Sequence, residues 1–420
     1  MTELALYGGP KAKSTPFGEG KRFGEEELAQ LREALDQNTL FYWSGRKVKQ
    51  LCAEFAALHE VPYCVAVSSG TAAIHVALAS LGVGVGDEVI TSPITDWGTI
   101  IGILYQGAVP VFADVDPNTY NLDPSSVVAK ITSRTKIIIA VHLAGNPCDM
   151  DAIMEIAKGK GIRVIEDCAQ SYLAEYKGRK VGTFGDFGCF SLNDFKHIST
   201  GDGGLVITRD SELARLAALY ADKYYHRSGS GRDPEWLAPN YRMTELQGAV
   251  GIAQVKKLPG ICQRRHELGD RITQGISGLP GIQPHRITAD SRATYWFYML
   301  RVNEQELGTR RHHFCEALRA EGIPCSEGYI PRPVYCYDVL TKAQVLHGAG
   351  FPISAGFHAA VPAYGEGLCP VAEEVLATAV RLPVSEFFTD RDVDEMVAAI
   401  RKVASYFASR RAAAVKERGA

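Results

Sequence analysis

From residue 63 onward, short runs of β-branched and other apolar residues alternate with stretches of helical spacing. The runs fall at 64–67, 89–91, 109–112, 137–141, 163–165, 189–192 and 205–208. Apolar runs of this length, separated by helical segments, are the pattern of a mostly parallel sheet covered by helices on both faces. The expected fold is therefore α/β, and in such sheets ligands collect outside the carboxyl ends of the strands. Between the first two runs, Ala73, Ile74, Ala77, Leu78 and Leu81 recur at helical spacing, Ser68-Ser69-Gly70-Thr71 announces the start and Gly82 the stop. Helical patterns follow at 244–257 and 262–276, and a strand pattern at 295–302 opens a second α/β region with helices at 310–321 and 390–407. Two units are expected: residues 1–264, comprising an N-terminal segment and a large domain, and residues 265–420, a smaller C-terminal α/β domain. Between about Tyr220 and Asn240 a stretch rich in Tyr, Arg, Gly and Pro, including Tyr224-Tyr225-His226-Arg227-Ser228-Gly229-Ser230-Gly231, reads as a long functional loop that reaches a partner.

Composition narrows the class without changing this picture. The 420 residues are 46% hydrophobic and 22% charged, enough for large buried cores. A formal charge of −3 comes without long charged blocks apart from Arg410-Arg411 and Lys416-Glu417-Arg418, so neither a nucleic-acid partner nor a membrane partner is expected. The first residues lack the basic segment and apolar run of a secretion signal, and a cytoplasmic protein is expected. The ten cysteines are scattered singly, with no Cys-x-x-Cys pair, which reads as reduced thiols rather than a disulfide framework or a metal site.

The chemistry concentrates at strand ends. Phe190-Ser191-Leu192-Asn193-Asp194-Phe195-Lys196 carries an apolar strand into a glycine-rich loop that continues to Gly201-Asp202-Gly203-Gly204. A lysine delivered this way acts as a Schiff-base amine if its setting is desolvated enough to free the amine of its proton. Upstream, Val164-Ile165-Glu166-Asp167-Cys168-Ala169-Gln170 ends a second strand in carboxylates, one of which faces the crevice because neighbouring side chains on a strand point opposite ways. An amine and an acid at one crevice are what pyridoxal 5′-phosphate (PLP) requires: a lysine for the aldehyde and a carboxylate that keeps the pyridine nitrogen protonated. Ser69-Gly70-Thr71 sits at a strand-to-helix turn, where backbone N–H groups and the helix dipole attract a phosphate. Each residue also has an ordinary reading. Ser69 or Thr71 would be a helix cap, Asp167 a cap or metal ligand, Lys196 a surface charge, and Trp97, His142 and His197 core or loop side chains.

Together these residues resemble the DegT/StrS family of PLP-dependent aminotransferases, enzymes of fold type I that aminate keto-sugars and aminocyclitol precursors. The similarity runs nearly end to end, through 69–73, 86–90, 114–117, 141–145, 166–170, 190–204, 240–247 and 369–373 together with Leu382-Pro383. The resemblance implies a large domain with a mostly parallel seven-stranded sheet, with Lys196 bonded to the cofactor and Asp167 at the ring nitrogen. It also implies that Trp97 stacks on the ring, that Gln170 contacts its hydroxyl, and that Gly70, Thr71 and Ser191 bind the phosphate. Asn240, within Asn240-Tyr241-Arg242-Met243, would cross to the phosphate of a neighbouring subunit, which implies a homodimer with shared active sites. His197 after the lysine resembles the His-His pair of the family's sugar 3-dehydratase branch, where a histidine replaces the lysine; here the lysine is retained.

The function expected is transfer of an amino group from glutamate or glutamine to a keto-sugar or keto-cyclitol in aminoglycoside-type biosynthesis, with an overall run similar to the glutamine:scyllo-inosose aminotransferase branch. The segment from Tyr329 to Tyr335 is a candidate for facing the acceptor. A dehydratase or epimerase using the same cofactor and a non-catalytic PLP-binding regulator are the alternatives.

Overall fold

A computed structural model describes residues 3–229, 233–346, 350–354 and 363–418. Residues Ser230 and Gly231 of the aromatic loop lie outside the described residues, as do the side chains of the Lys416-Glu417-Arg418 cluster.

All seven apolar runs become strands of one sheet, in the order Tyr63–Val67, Gly204–Thr208, Phe187–Ser191, Arg163–Asp167, Thr135–Val141, Glu88–Thr91, Val109–Phe112. Only Gly204–Thr208 runs against the others, pairing antiparallel with both of its neighbours. Glu88–Thr91, Val109–Phe112 and Phe187–Ser191 are buried along their length, which is why their sequences read as continuous apolar runs rather than alternating ones. Helix Gly70–Ser80 lies on this sheet and buries every residue from Ala72 to Ser80, so its apolar face extends around the whole cylinder. Its start is fixed by Ser69, whose hydroxyl accepts from Ala72 N at 3.0 Å.

The two helical patterns at 244–257 and 262–276 form one helix, Glu245–Ile276, which continues through Pro259. Proline removes one N–H and usually breaks a helix. Here tertiary packing overrides it: helices Glu25–Asp36 and Lys47–His59 lie against this helix, as does the C-terminal helix Asp390–Arg418. The expected helix 310–321 is found as Arg311–Ala320, and 390–407 extends to Arg418. A small ribbon of Glu175–Tyr176, Arg179–Lys180 and Ser291–Arg292 had no signal in the apolar pattern.

The C-terminal region has its own antiparallel sheet, Ile282–Gln283, Phe297–Val302 and Ala379–Pro383, and its own core. The chain's beginning packs here: Leu4 is fully buried in that core, and Lys13 pairs with Asp392 at 2.6 Å and Glu395 at 2.9 Å. The two regions meet at the turn 143–145, where Ala144 O and Gly145 O accept from Trp296 N and Thr294 N at 3.0 and 3.1 Å. Gly145 has φ +92°, and a Cβ there would lie 2.5 Å from Tyr295 N, so only glycine allows the two backbones to approach this closely. No helix among the described residues is long and apolar enough to cross a membrane.

Candidate active site

The carboxyl ends of Tyr63–Val67, Arg163–Asp167 and Phe187–Ser191 open onto a cavity of about 330 Å³. Gly70, Thr71, Asp167, Gln170, Ser191 and Lys196 all line it.

One end of the cavity is the start of helix Gly70–Ser80. Ser69 caps Ala72, leaving the N–H groups of Gly70 and Thr71 without an intrahelical acceptor. Ser191 closes against this turn: a Cβ at position 70 would lie 2.6 Å from Ser191 Cβ, so the helix start and the strand end fit only around glycine. Amide N–H groups, the dipole's positive end and a serine hydroxyl therefore converge at a place suited to an anion.

The two carboxylates at the end of Arg163–Asp167 separate by alternation. Glu166 points away from the cavity and is saturated, accepting from Gly182 N, Phe184 N and Gly185 N, each at 2.7 Å, with His142 Nε2 at 3.1 Å. His142 Nδ1 in turn accepts from Cys148 N at 2.9 Å, so the proton lies on Nε2, directed at Glu166. This buried network fixes the strand end from behind. Asp167 faces the cavity: Thr99 Oγ1 donates to its Oδ2 at 2.8 Å and Ala169 N to its Oδ1 at 3.1 Å, which leaves outward lone pairs on both oxygens. Burial raises its pKa above the usual aspartate value, opposed by these two donors and by Lys196.

Lys196 is 8% exposed, and its Nζ makes no hydrogen bond or ion pair among the described residues. The amine rests over the indole of Trp296, 3.7 Å from the ring centroid. Burial lowers its pKa to about 8, against the pull of Asp167 and Asp96. A buried lysine without an anionic contact supplies a substantial fraction of neutral amine near neutrality. His197 turns the other way, its Nε2 donating to Thr294 O at 3.0 Å. Gln170 is held at both ends, Oε1 accepting from Ala144 N at 2.8 Å and Nε2 donating to Tyr329 Oη at 3.1 Å.

Two sequence candidates stand elsewhere. Trp97 does not line the cavity; it packs on Tyr337, with ring centroids 5.9 Å apart, and faces a separate apolar groove with Ile101 and Val345. The loop turns the neighbouring Asp96 into the cavity instead, its Oδ1 accepting from Gly98 N at 2.8 Å. Asn240 is exposed and is not among the residues lining this chain's own cavity; its backbone bridges to Asp222, the acceptor for Arg227, Arg242 and Tyr42. Sequence reading missed Asp96, Thr99 and Trp296. Asp96 and Thr99 lie within two positions of the candidate Trp97, whereas Trp296 precedes an apolar strand and carries no local signal.

Comparison with known proteins decides the family. The family model for DegT/DnrJ/EryC1/StrS aminotransferases matches residues 21–401. The chain belongs to this family. It is 34% identical over 390 residues to the spore coat polysaccharide biosynthesis protein SpsC of Bacillus subtilis, covering 90% of this chain and 95% of that protein. It is 37% identical over 334 residues to a putative L-glutamine:3-amino-2,3-dideoxy-scyllo-inosose aminotransferase of Streptoalloteichus tenebrarius, covering 77% of this chain and 79% of that one. Among solved structures, an aminotransferase from Psychrobacter cryohalolentis superposes with a TM-score of 0.82 at 32% identity, over 93% of this chain and 100% of that chain.

The protein is thus a PLP-dependent aminotransferase of fold type I. Its cavity fits the cofactor on the observations above: an anion cradle that a Cβ at position 70 would fill, a buried amine with no hydrogen-bond partner among the described residues, and a carboxylate with open lone pairs.

Proposed function

We propose that this aminotransferase moves an amino group from glutamate or glutamine to the ketone of a keto-sugar or keto-cyclitol, in biosynthesis of the aminoglycoside type. The observation that carries the reading is Lys196, a buried amine free of anionic contacts, opening onto the same cavity as Asp167 and the Gly70 helix start. The name carried by the relative from Streptoalloteichus tenebrarius, at 37% identity, supports an aminocyclitol acceptor and a glutamine donor. The lining acids not assigned to the cofactor, Asp96 and Asp202, favour an acceptor that presents hydroxyl or ammonium groups.

In this reading Gly70, Thr71 and Ser191 bind the cofactor phosphate, Gln170 holds the ring hydroxyl, and Asp167 keeps the ring nitrogen protonated. Bound PLP supplies an electron sink for substrate carbon chemistry. Lys196 would hold the cofactor covalently. When not bonded to the cofactor, its Nζ would serve as the base that holds and moves the substrate's α-proton, a role suited to an amine whose pKa is lowered by burial to about 8. Asn240 completes the phosphate site of a second subunit, making the enzyme a homodimer, and the division near residue 265 and a cytoplasmic location belong to the same proposal.

Purified enzyme reconstituted with PLP tests it. Glutamine or glutamate should bleach the visible absorbance and leave the aminated cofactor, and added keto-inositol should restore the colour and yield an amino-cyclitol. A bound chromophore that neither donor alters would overturn the reading, as would a product lacking a hydroxyl instead of gaining nitrogen. Mixed dimers of Lys196→Ala and Asn240→Ala subunits should recover activity in one of their two sites.

A further inference from the structure

Trp296 comes from the C-terminal region, more than a hundred positions from the strand ends, yet it holds the lysine loop at two points. Its Nε1 donates to Phe195 O at 2.6 Å, the carbonyl just before Lys196, and its ring face lies beneath Lys196 Nζ at 3.7 Å. The residue is itself fixed from several sides, its backbone by two hydrogen bonds and its ring by an aromatic neighbour. Trp296 N donates to Ala144 O at 3.0 Å, and Arg265 Nη1, on a side chain paired with Glu386 at 2.7 Å, donates to Trp296 O at 3.2 Å. Tyr329 packs edge-on against the ring at 5.8 Å and 78°.

We propose that Trp296 is a positioning residue for the catalytic amine: its indole face is the seat that the Lys196 ammonium occupies whenever that amine is not bonded to the cofactor. This rests on the assignment of Lys196 above and adds to it. In transamination the lysine would be freed once per turnover, when the donor's amine takes its place, and would stay free until the acceptor has taken the nitrogen; a long flexible side chain free in a cavity lined by Asp96, Asp167 and Asp202 has competing places to go. An ammonium over an aromatic face is attracted by the ring quadrupole, most strongly where water is excluded. The seat keeps the amine beside the cofactor without an anionic partner, so it is not locked in the protonated state by an ion pair. The charged groups facing the amine are Asp167 and Asp96; His197, on the same loop, is buried, turned to Thr294 O and kept neutral by that burial.

The test reads the amine directly. Competitive acetylation of the apoenzyme from pH 6 to 10, followed by mass spectrometry of the Lys196 peptide, gives its titration midpoint, expected near 8 in the wild type. Removing the ring face destabilises the ammonium, so the midpoint should fall by about one pH unit in Trp296→Leu and by roughly half as much in Trp296→Phe. If the indole only filled space, its loss would admit water and the midpoint would rise; a rise or no change overturns the proposal. Fluorinated tryptophans, which weaken the quadrupole at nearly constant shape, should lower the midpoint stepwise and serve if Trp296→Leu does not fold; an unchanged midpoint across that series also overturns it. Borohydride trapping of the reconstituted enzyme separates the two claims. A cofactor adduct on another lysine would remove the assignment of Lys196, whereas the apoenzyme midpoint reports on the seat alone.

Discussion

The two walls of the cavity are built differently. The wall of strand ends, with Gly70, Asp167, Ser191 and Lys196, is made of short contiguous motifs whose side chains are oriented by backbone hydrogen bonds and strand alternation. The other wall, formed by Trp296 with Tyr329 packed behind it, is contributed by the C-terminal region and held through long-range contacts to Ala144, Arg265 and Gln170. The first wall carries groups that bond and titrate; the second supplies shape, dryness and the seat of one amine. Chemistry that needs fixed atoms sits where the sheet fixes them, and Trp296 reaches the pocket from the C-terminal region through a core that both regions share.

The sharpest break of this comparison is Lys196→Ala, which removes the amine that lines the cavity. Turnover should fall on the order of 10⁴-fold, with no borohydride-trapped adduct, since both the covalent link and the proton shuttle are lost. Next comes Asp167→Asn, expected to lower kcat by roughly 10²–10³-fold while circular dichroism stays native, because the amide keeps the size but not the charge at the ring nitrogen. Thr99→Val removes the 2.8 Å bond to Asp167 Oδ2 without touching the cavity's charges. A loss of about tenfold in kcat, with the cofactor still bound, would show that the orientation of the acid matters as well as its presence. The rate at which apoenzyme combines with PLP should climb with pH and level off above about 8, where the buried amine has lost its proton. A rate still rising toward pH 10 would mean that burial does not act on Lys196 as described. The smallest effect is expected at Trp97→Leu: with its ring on Tyr337 rather than in the cavity, the absorbance of the bound cofactor should be unchanged. A shifted band there would return Trp97 to the cofactor face.

How much of the site was legible follows the same division. Asp167 and Glu166 are adjacent and chemically alike, and alternation along a strand says that they part company. It does not say which faces the ligand; that is decided by the Gly182–Gly185 turn, whose N–H groups claim Glu166. Trp97 and Asp96 show the reverse case, where a residue type suited to stacking points outward and its neighbour enters the cavity, because a loop lacks the fixed period of a strand. The helix pattern broken at Pro259 was misread for a related reason. Local propensity marks a stop there, and packing against helices from both ends of the chain carries the helix through.

The chain's own order of residues settled the seven apolar runs, the phosphate-type helix start, the amine on its glycine-rich loop and the family these motifs mark, because each depends on neighbours within a few positions. The tertiary structure alone decided which acid faces inward, that Leu4 and Lys13 serve the far end of the chain, and that Trp296 lies beneath the lysine. The acid's choice is made by a turn 16 to 19 positions further on, and the other two contacts join residues a hundred positions or more apart; no periodicity of strand or helix reaches that far.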